Sequence, residues 1–334
     1  MRSLFKLAIL FSVPISLIIS IFLGRYPVNP GEAVRAILSI ATPHLVHSPP
    51  ETVKTIVVLY RLPRVLAAAI TGAALAVTGA SLQSILRNPL VDTYILGISA
   101  GAGFGAALAI AFLPPVPIEF VAFLGALMAF FITFSIAMLW GKGSVIAIVL
   151  SGVIVNALFQ AGLSLVKYLC PDPYKLATVT FWLMGSIGAA AFWNKVLRMG
   201  IVVTLCAVLL YSIRWRLDIL SLGDEEAVAL GASPIKERAM VVAVCAMAVA
   251  TIVCYTGIIG WVGLLIPHIV RLTVGADNRD VLPYSMLLGA SFMVVADDLA
   301  RCLTSTEIPI GILTTVMVAP FYVYLLKRSA GVWR

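Results

Sequence analysis

The chain has 334 residues, of which 61% are hydrophobic and only 11% charged. An average soluble domain carries roughly 25% charge, so an ordinary water-soluble globular protein is excluded. The formal net charge is +8, but the basic residues are scattered between apolar segments, where they set orientation in a bilayer rather than bind nucleic acid.

Apolar segments near the ~20 residues needed to cross a bilayer recur along the whole length. The alternation of a membrane-spanning strand is absent. Backbone groups in lipid must be satisfied within each segment, so the segments are expected to be helices. The fold class that follows is an all-α polytopic membrane protein, one transmembrane domain over 1–334 with about ten spans. These are placed at 4–24, 63–85, 93–113, 117–140, 144–168, 193–213, 238–257, 258–273, 281–301 and 309–327.

The first run, Leu4–Leu23, starts beside Arg2 and Lys6 like a signal peptide. It is long, and Gly24-Arg25-Tyr26 is no small-residue cleavage site, so it reads as a retained span. Ten spans put both termini on one side. Placing that side in the cytosol gathers thirteen of the 23 basic residues there, a modest inside bias. The exceptions cluster in the outer loop 25–62 and at its exit, as Arg25, Arg35, Lys54, Arg61 and Arg64. Such a basic rim suits an acidic partner.

In span three, Gly97, Gly101 and Gly105 repeat every four residues and leave one helix face open to a close neighbour. The same segment fits a relaxed dinucleotide fingerprint, Gly101-x-Gly103-x-x-Ala106, but without its strand–turn–helix context. It also matches the nucleophile elbow, Gly97-x-Ser99-x-Gly101, which needs a partner base. The histidines are only His44, His47 and His268. Span five carries Asn156, Gln160, Ser164 and Lys167 at helical spacing. A polar stripe in hydrocarbon faces either other helices or a water-filled path.

Beyond the outer loop 170–192 comes the break Arg214–Arg238, nine of the 38 charged residues in 25 positions. Within it, Leu220, Gly223, Ala227 and Leu230 share one small apolar helix face, with Glu225 opposite. Ser221, three residues before Asp224, is placed to cap the start, and Gly231 suits the end. Such a helix fits a groove on a soluble protein; a solvated connector is the plain alternative. The run Gly260–Arg271 is interrupted by Pro267, which forces a bend or a helix end. His268 beside it has no second ligand nearby and reads as structural. Asp297 and Arg301 in span nine are four apart and able to pair. The five cysteines lack metal-ligand spacing. Cys170 and Cys302 fall at loop edges on one side, which leaves a disulfide open.

Several blocks coincide with one family. Arg61-Leu-Pro-Arg64, Gly79-Ala-Ser-Leu-Gln83, Arg87-Asn-Pro-Leu90, Ile95-Leu-Gly-Ile-Ser99, Gly260–Arg271 and Glu307-Ile-Pro-Ile-Gly311 with Ala319-Pro320-Phe321 occur in family order over residues 60–327. On these the chain resembles the FecCD-type permeases of binding-protein-dependent ABC importers for vitamin B12, haem and ferric siderophores. The resemblance implies a type II importer architecture with ten spans, a second copy of the chain, and a pathway along the dimer axis in the inner membrane. It also implies two cytosolic ABC ATPase subunits and a periplasmic or lipid-anchored substrate-binding protein. By the same resemblance, the segment holding Leu220, Ser221, Gly223, Asp224, Glu225, Ala227, Leu230 and Gly231 is the coupling element. The resemblance also implies that Arg61, Arg64 and Arg301 dock the binding protein and that Asn88 and Leu90 lie near the inner gate; Asn156, Gln160 and Ser164 are pathway candidates from their polar helical spacing alone. The inner end of span five, 143–148, has no distinctive match, so no gate residue is carried there.

No G-x-x-x-x-G-K-[ST] loop occurs. The expectation is a chain that is no enzyme and holds no cofactor, with ATP and magnesium bound in the partner ATPase. Alternating access would move a ferric siderophore, haem or cobalamin, with an oxyanion such as molybdate as the outlying substrate. An ion-driven secondary transporter using Asp297 or Asp298 and an intramembrane serine hydrolase using Ser99 are the rival readings.

Overall fold

A computed structural model describes residues 2–42 and 49–329. His44, His47 and Arg334 lie outside the described residues. In chain order the helices are α1 (Arg2–Phe22), α2 (Pro30–Ala41), α3 (Glu51–Thr55), α4 (Leu62–Ile85), α5 (Ile98–Phe112), α6 (Ile118–Gly141), α7 (Val145–Leu169), α8 (Pro173–Leu183), α9 (Trp193–Ser212), α10 (Arg214–Leu222), α11 (Asp224–Ala229), α12 (Pro234–Thr256), α13 (Val262–Thr273), α14 (Asn278–Cys302) and α15 (Ile310–Ser329). Among the described residues, seven are long and apolar enough to cross a membrane, α4 together with the turns leading into it. The shorter apolar α5, α13 and α15 complete the ten expected segments.

Helix α4 is the axis of the bundle and is buried along most of its length. Its Ala, Gly, Ser and Thr residues let neighbouring backbones approach, which is how helices associate where lipid removes a hydrophobic drive. A Cβ on Gly72 would stand 2.0 Å from the Gly289 carbonyl oxygen of α14. One on Gly79 would stand 2.0 Å from the Gly263 oxygen of α13. Helices α5 and α6 meet in the same way: a Cβ on Gly101 or Gly125 would lie 2.3 Å from the other's carbonyl oxygen.

Two expected spans are shorter as helices than their apolarity suggests. In the third, residues 93–96 form a 3-10 turn, Gly97 takes φ 74° and the α-helix begins only at Ile98. Gly97 therefore lies outside the Gly101–Gly105 stripe and packs instead on the α7 backbone, 3.2 Å from Asn156 N for a Cβ placed there. In the eighth, residues 257–261 are not helical and α13 has 12 residues, about 18 Å at 1.5 Å per residue. Pro267 lies inside α13 rather than ending it. It cannot donate to the carbonyl four residues back, which is that of Gly263. The Gln83 amide of α4 donates to that oxygen at 3.2 Å.

The loops hold more helix than the sequence suggested. Within 25–62 lie α2, α3 and a wide π turn over Ile56–Arg61. Within 170–192 lies α8, which begins at the Asp172 cap and packs Val179 with Leu163 and Val166 of α7.

Candidate functional site

At one end of the bundle the charged break folds as two helices, not one. The chain breaks at Gly223 (φ 150°, ψ 165°) between α10 and α11. Ser221 does not cap a helix; its hydroxyl donates to Asp218 O at 2.7 Å. Gly231 does end one. At φ 78° it supports paired bonds from Ala232 N to Ala227 O (2.9 Å) and from Gly231 N to Val228 O (2.9 Å), the Schellman arrangement.

The expected face turns inward, all but Leu230. Leu220, Gly223 and Ala227 are buried against the bundle, while Leu222, Val228 and Leu230 are about 60% exposed beside Glu225 and Glu226. The accessible apolar surface is therefore Leu222–Val228–Leu230.

Two carboxylates fasten this pair of helices. Asp218 Oδ1 of α10 accepts from Asn278 N (3.0 Å) and Asn278 Nδ2 (2.7 Å) at the start of α14. Asn278 Oδ1 accepts from Ser84 of α4 at 2.7 Å, and Arg271 of α13 donates to that serine at 2.9 Å. Asp224 Oδ1 at the start of α11 accepts from Arg238 (2.6 Å) and from Arg87 (3.5 Å), the residue before Asn88 and Leu90. Sequence reading took Arg238 for an orientation anchor in the membrane interface. It is fully buried, and its other terminal nitrogen donates to Gly143 O at 3.0 Å. Its proximity to Asp224, fourteen residues away across a turn, was the only signal available.

Burial raises the Asp218 carboxyl above its usual range, with the neighbouring Asp277 adding to it against the Asn278 donors. A raised folded-state pKa adds stability in acid that is lost as pH climbs through the raised value. Asp218→Asn keeps an acceptor for Asn278 and offers Asp277 a permanent donor. Its unfolding midpoint in detergent is expected to exceed the parent's by about 2 °C near neutral pH and to equal it in acid. A lower midpoint at neutral pH would contradict this account.

At the opposite end the predicted arginines point inward. Arg61 donates to Ile21 O (2.8 Å), Phe22 O (3.2 Å) and Tyr26 O (2.6 Å). Arg64 makes two-pronged pairs with Asp297 (2.8 and 2.9 Å) and with Glu307 (2.7 and 3.1 Å). Arg301 pairs with Asp298 and donates to Ser20 O at 2.8 Å, while its expected partner Asp297 is 3.8 Å away. Burial opposes ionisation of Glu307, but the Arg64 guanidinium overrides it and holds the carboxyl below its ordinary range.

Between the two ends a cleft of about 750 Å³ is lined by Leu90, Leu183, Ile258, Trp261, Ile312 and Val316 among others, with Asp92 the one carboxyl side chain among its described lining residues. Asp92 Oδ1 accepts from Thr93 N at 2.6 Å and Thr93 Oγ1 at 3.1 Å, capping the 3-10 turn. Leu90 lines this cleft, whereas Asn88 turns its amide oxygen back to Leu90 N at 2.9 Å. On α7, Gln160 and Ser164 are exposed and Asn156 is half-buried, so the polar stripe faces away from this chain's own core.

The rival chemistries find no site among the described residues. Ser99 is buried on α5 and no histidine or carboxylate hydrogen-bonds to it. Asp297 and Asp298 are each engaged by an arginine. His268 is half-buried against the Phe321 and Tyr322 rings. Cys170 and Cys302 are free thiols.

A ten-segment apolar bundle with half-unwound helices lining a cleft, and a fastened helical pair outside it, defines a multi-pass transport permease. The FecCD transport family model matches residues 12–328, and the chain belongs to that family. It is 38% identical to the molybdate import permease MolB of Haemophilus influenzae, over 98% of this chain and 97% of that one. It is likewise 38% identical to the cobalamin import permease BtuC of Halobacterium salinarum, over 95% and 85%. Among solved structures, an inward-facing conformation of an ABC transporter assigned to the metal-chelate type matches with TM-score 0.84 and 36% identity, covering 96% of this chain and 98% of that one. The chain is thus a type II ABC importer permease, and ATP hydrolysis is carried by separate ATPase subunits.

Proposed function

We propose that this chain forms, with a second copy of itself, the transmembrane half of an importer in the cytoplasmic membrane. Both termini and the α10–α11 pair lie in the cytosol, where two ABC ATPases bind and where ATP and magnesium are held. The exposed surface of Leu222, Val228 and Leu230 supports the ATPase contact. The outward polar stripe Asn156–Gln160–Ser164 supports a pathway along the dimer axis, since a membrane-embedded polar face needs water or a partner. A periplasmic or lipid-anchored binding protein docks at the opposite end. There Arg61 and Arg301 shape the rim, and an incoming carboxylate competes with Glu307 for Arg64.

The substrate we infer is an organic metal chelate of the siderophore, haem or cobalamin kind. The observation that carries this is the cleft: large apolar and aromatic side chains, one carboxyl side chain, and no lysine or arginine among its described lining residues. A bare dianion would find few donors there. MolB's molybdate is the competing reading, and the lining disfavours it.

Proteoliposomes holding the permease, its cognate ATPase and its binding protein should take up a ferric chelate, haem or cobalamin in an ATP-dependent way. Binding-protein affinity should fall as salt rises. Uptake of molybdate alone would overturn the substrate, and uptake without the ATPase would overturn the importer.

A further inference from the structure

We propose that Arg238 is the positioning residue through which movement of the α10–α11 pair reaches the start of α7 and the turn 87–90. The inference rests on the importer reading above and adds the route inside this chain.

Arg238 lies in the second turn of α12, and none of its surface is exposed. Its two terminal nitrogens are divided between two elements. Nη2 holds Asp224, the first residue of α11, at 2.6 Å, and Nη1 holds the Gly143 carbonyl at 3.0 Å. Among the described residues its Nε has no partner. A buried guanidinium with an unused donor is a poor device for stability, because desolvation offsets much of the pairing. A rigid planar fork is, however, well suited to fixing two elements relative to one another.

The Gly143 end leads straight into α7. Lys142 and Gly143 both have left-handed φ (48° and 70°), so the direction of this carbonyl is set by the turn. The next residue, Ser144, caps α7 by accepting from Ala147 N at 3.3 Å. A shift of the Arg238 fork therefore acts on the first turn of the helix that carries Asn156, Gln160 and Ser164. The Asp224 end leads to a second element, the turn 87–90. The same Oδ1 accepts from Arg87 at 3.5 Å, and three residues on, Leu90 lines the cleft.

The rest of the coupling pair is held elsewhere. Asp218 ties α10 to α14 through Asn278, and Ser84 and Arg271 extend that tie to α4 and α13. The helical break at Gly223 separates the two anchors. A load on the exposed Val228 and Leu230 side chains then pivots α11 about Gly223, and the Arg238 fork passes the motion to α7 while α10 stays with α14. A bistable element biased in this way is what coupling requires.

The test uses the whole complex in nanodiscs and proteoliposomes, comparing Arg238→Gln and Arg238→Lys with the parent. For Arg238→Gln we expect normal assembly, basal ATP hydrolysis within about twofold of the parent, loss of stimulation by loaded binding protein, and uptake down by about tenfold or more. Lysine keeps a charge for Asp224 but is not a planar fork able to hold Gly143 as well, so it should assemble and recover only part of the stimulation. If the glutamine variant fails to assemble, the lysine variant alone decides, by its ratio of stimulated to basal hydrolysis. Parent-like stimulation and uptake in an assembled variant would overturn the proposal. So would a loss of basal and stimulated activity in strict proportion to lost assembly, which a purely structural arginine would give. A parent complex that shows no ATP-dependent uptake would instead count against the importer reading itself.

Discussion

Replacing Gly79 with valine is expected to remove the folded protein from the membrane. A Cβ at this position would stand 2.0 Å from the Gly263 carbonyl oxygen and 2.6 Å from both its carbonyl carbon and its Cα. All three are backbone atoms, so no flexible side chain can move aside. Overpacking in a core typically costs 1–3 kcal/mol when side chains give way. Here helices α4 and α13 must separate, and the Gln83 amide then loses the Gly263 oxygen that Pro267 leaves open, a further ~1 kcal/mol. A loss of about 4 kcal/mol is a large part of the ~5–15 kcal/mol that holds a typical protein folded. Yield of monodisperse protein in detergent and its unfolding midpoint would read the effect. Gly200→Ala is the control, because its new methyl would meet only Ile70 Cδ1 at 3.6 Å. If Gly79→Val matched that control, the close α4–α13 contact would be refuted.

The same contact shows where sequence reading stops. Ten apolar segments were legible in order, because hydrocarbon demands long apolar runs and charge marks their ends. Apolarity does not report whether a run is wound, so the non-helical stretch 257–261 and the 3-10 turn at 93–96 passed for helix. The glycines at 257, 260 and 263 around Pro267 were the visible hint. At the charged break, spacing gathered Leu220, Gly223 and Ala227 on one face, and the fold keeps them together. That face is turned inward on the bundle rather than out to a partner, and only Leu230, past the break at Gly223, is exposed. Gly231 was read correctly because a Schellman end is local, needing only the residues within one turn.

Charge was the least legible level. The basic residues near 61–64 looked like a rim open to a partner, since nothing nearby in sequence neutralises them. Their partners are distant: Asp297 is 233 residues from Arg64, and Glu307 is 243 away. Only the folded bundle brings the start of α4, the end of α14 and the loop after it together. The inner carboxylates behave alike, for Asp218 finds Asn278 60 residues on. Local spacing predicted the Asp297–Arg301 pair, and the structure gives its best geometry to Arg64 instead.

That preference makes Arg64→Met the second large effect. The Asp297 side chain is 2% exposed and is gripped at two points by Arg64. With the guanidinium gone it keeps only Arg301 at 3.8 Å, which is already committed to Asp298. Breaking one side of a buried pair leaves an uncompensated charge, at about 3–5 kcal/mol. The unfolding midpoint should drop accordingly. Asp297→Asn in the same background should restore most of it, because an uncharged amide needs no guanidinium; a double-mutant cycle with no coupling energy would contradict this. Acid dependence supplies an independent check. The Arg64 guanidinium holds Glu307 below its ordinary range, so this carboxylate adds stability above its unfolded-state pKa and loses it as pH falls through the lowered folded value. Arg64→Met should remove that acid-side loss. A mutant whose stability still fell with acid as the parent's does would place the sensitivity in some other group, and would leave the Arg64–Glu307 pair as an exposed contact of little weight.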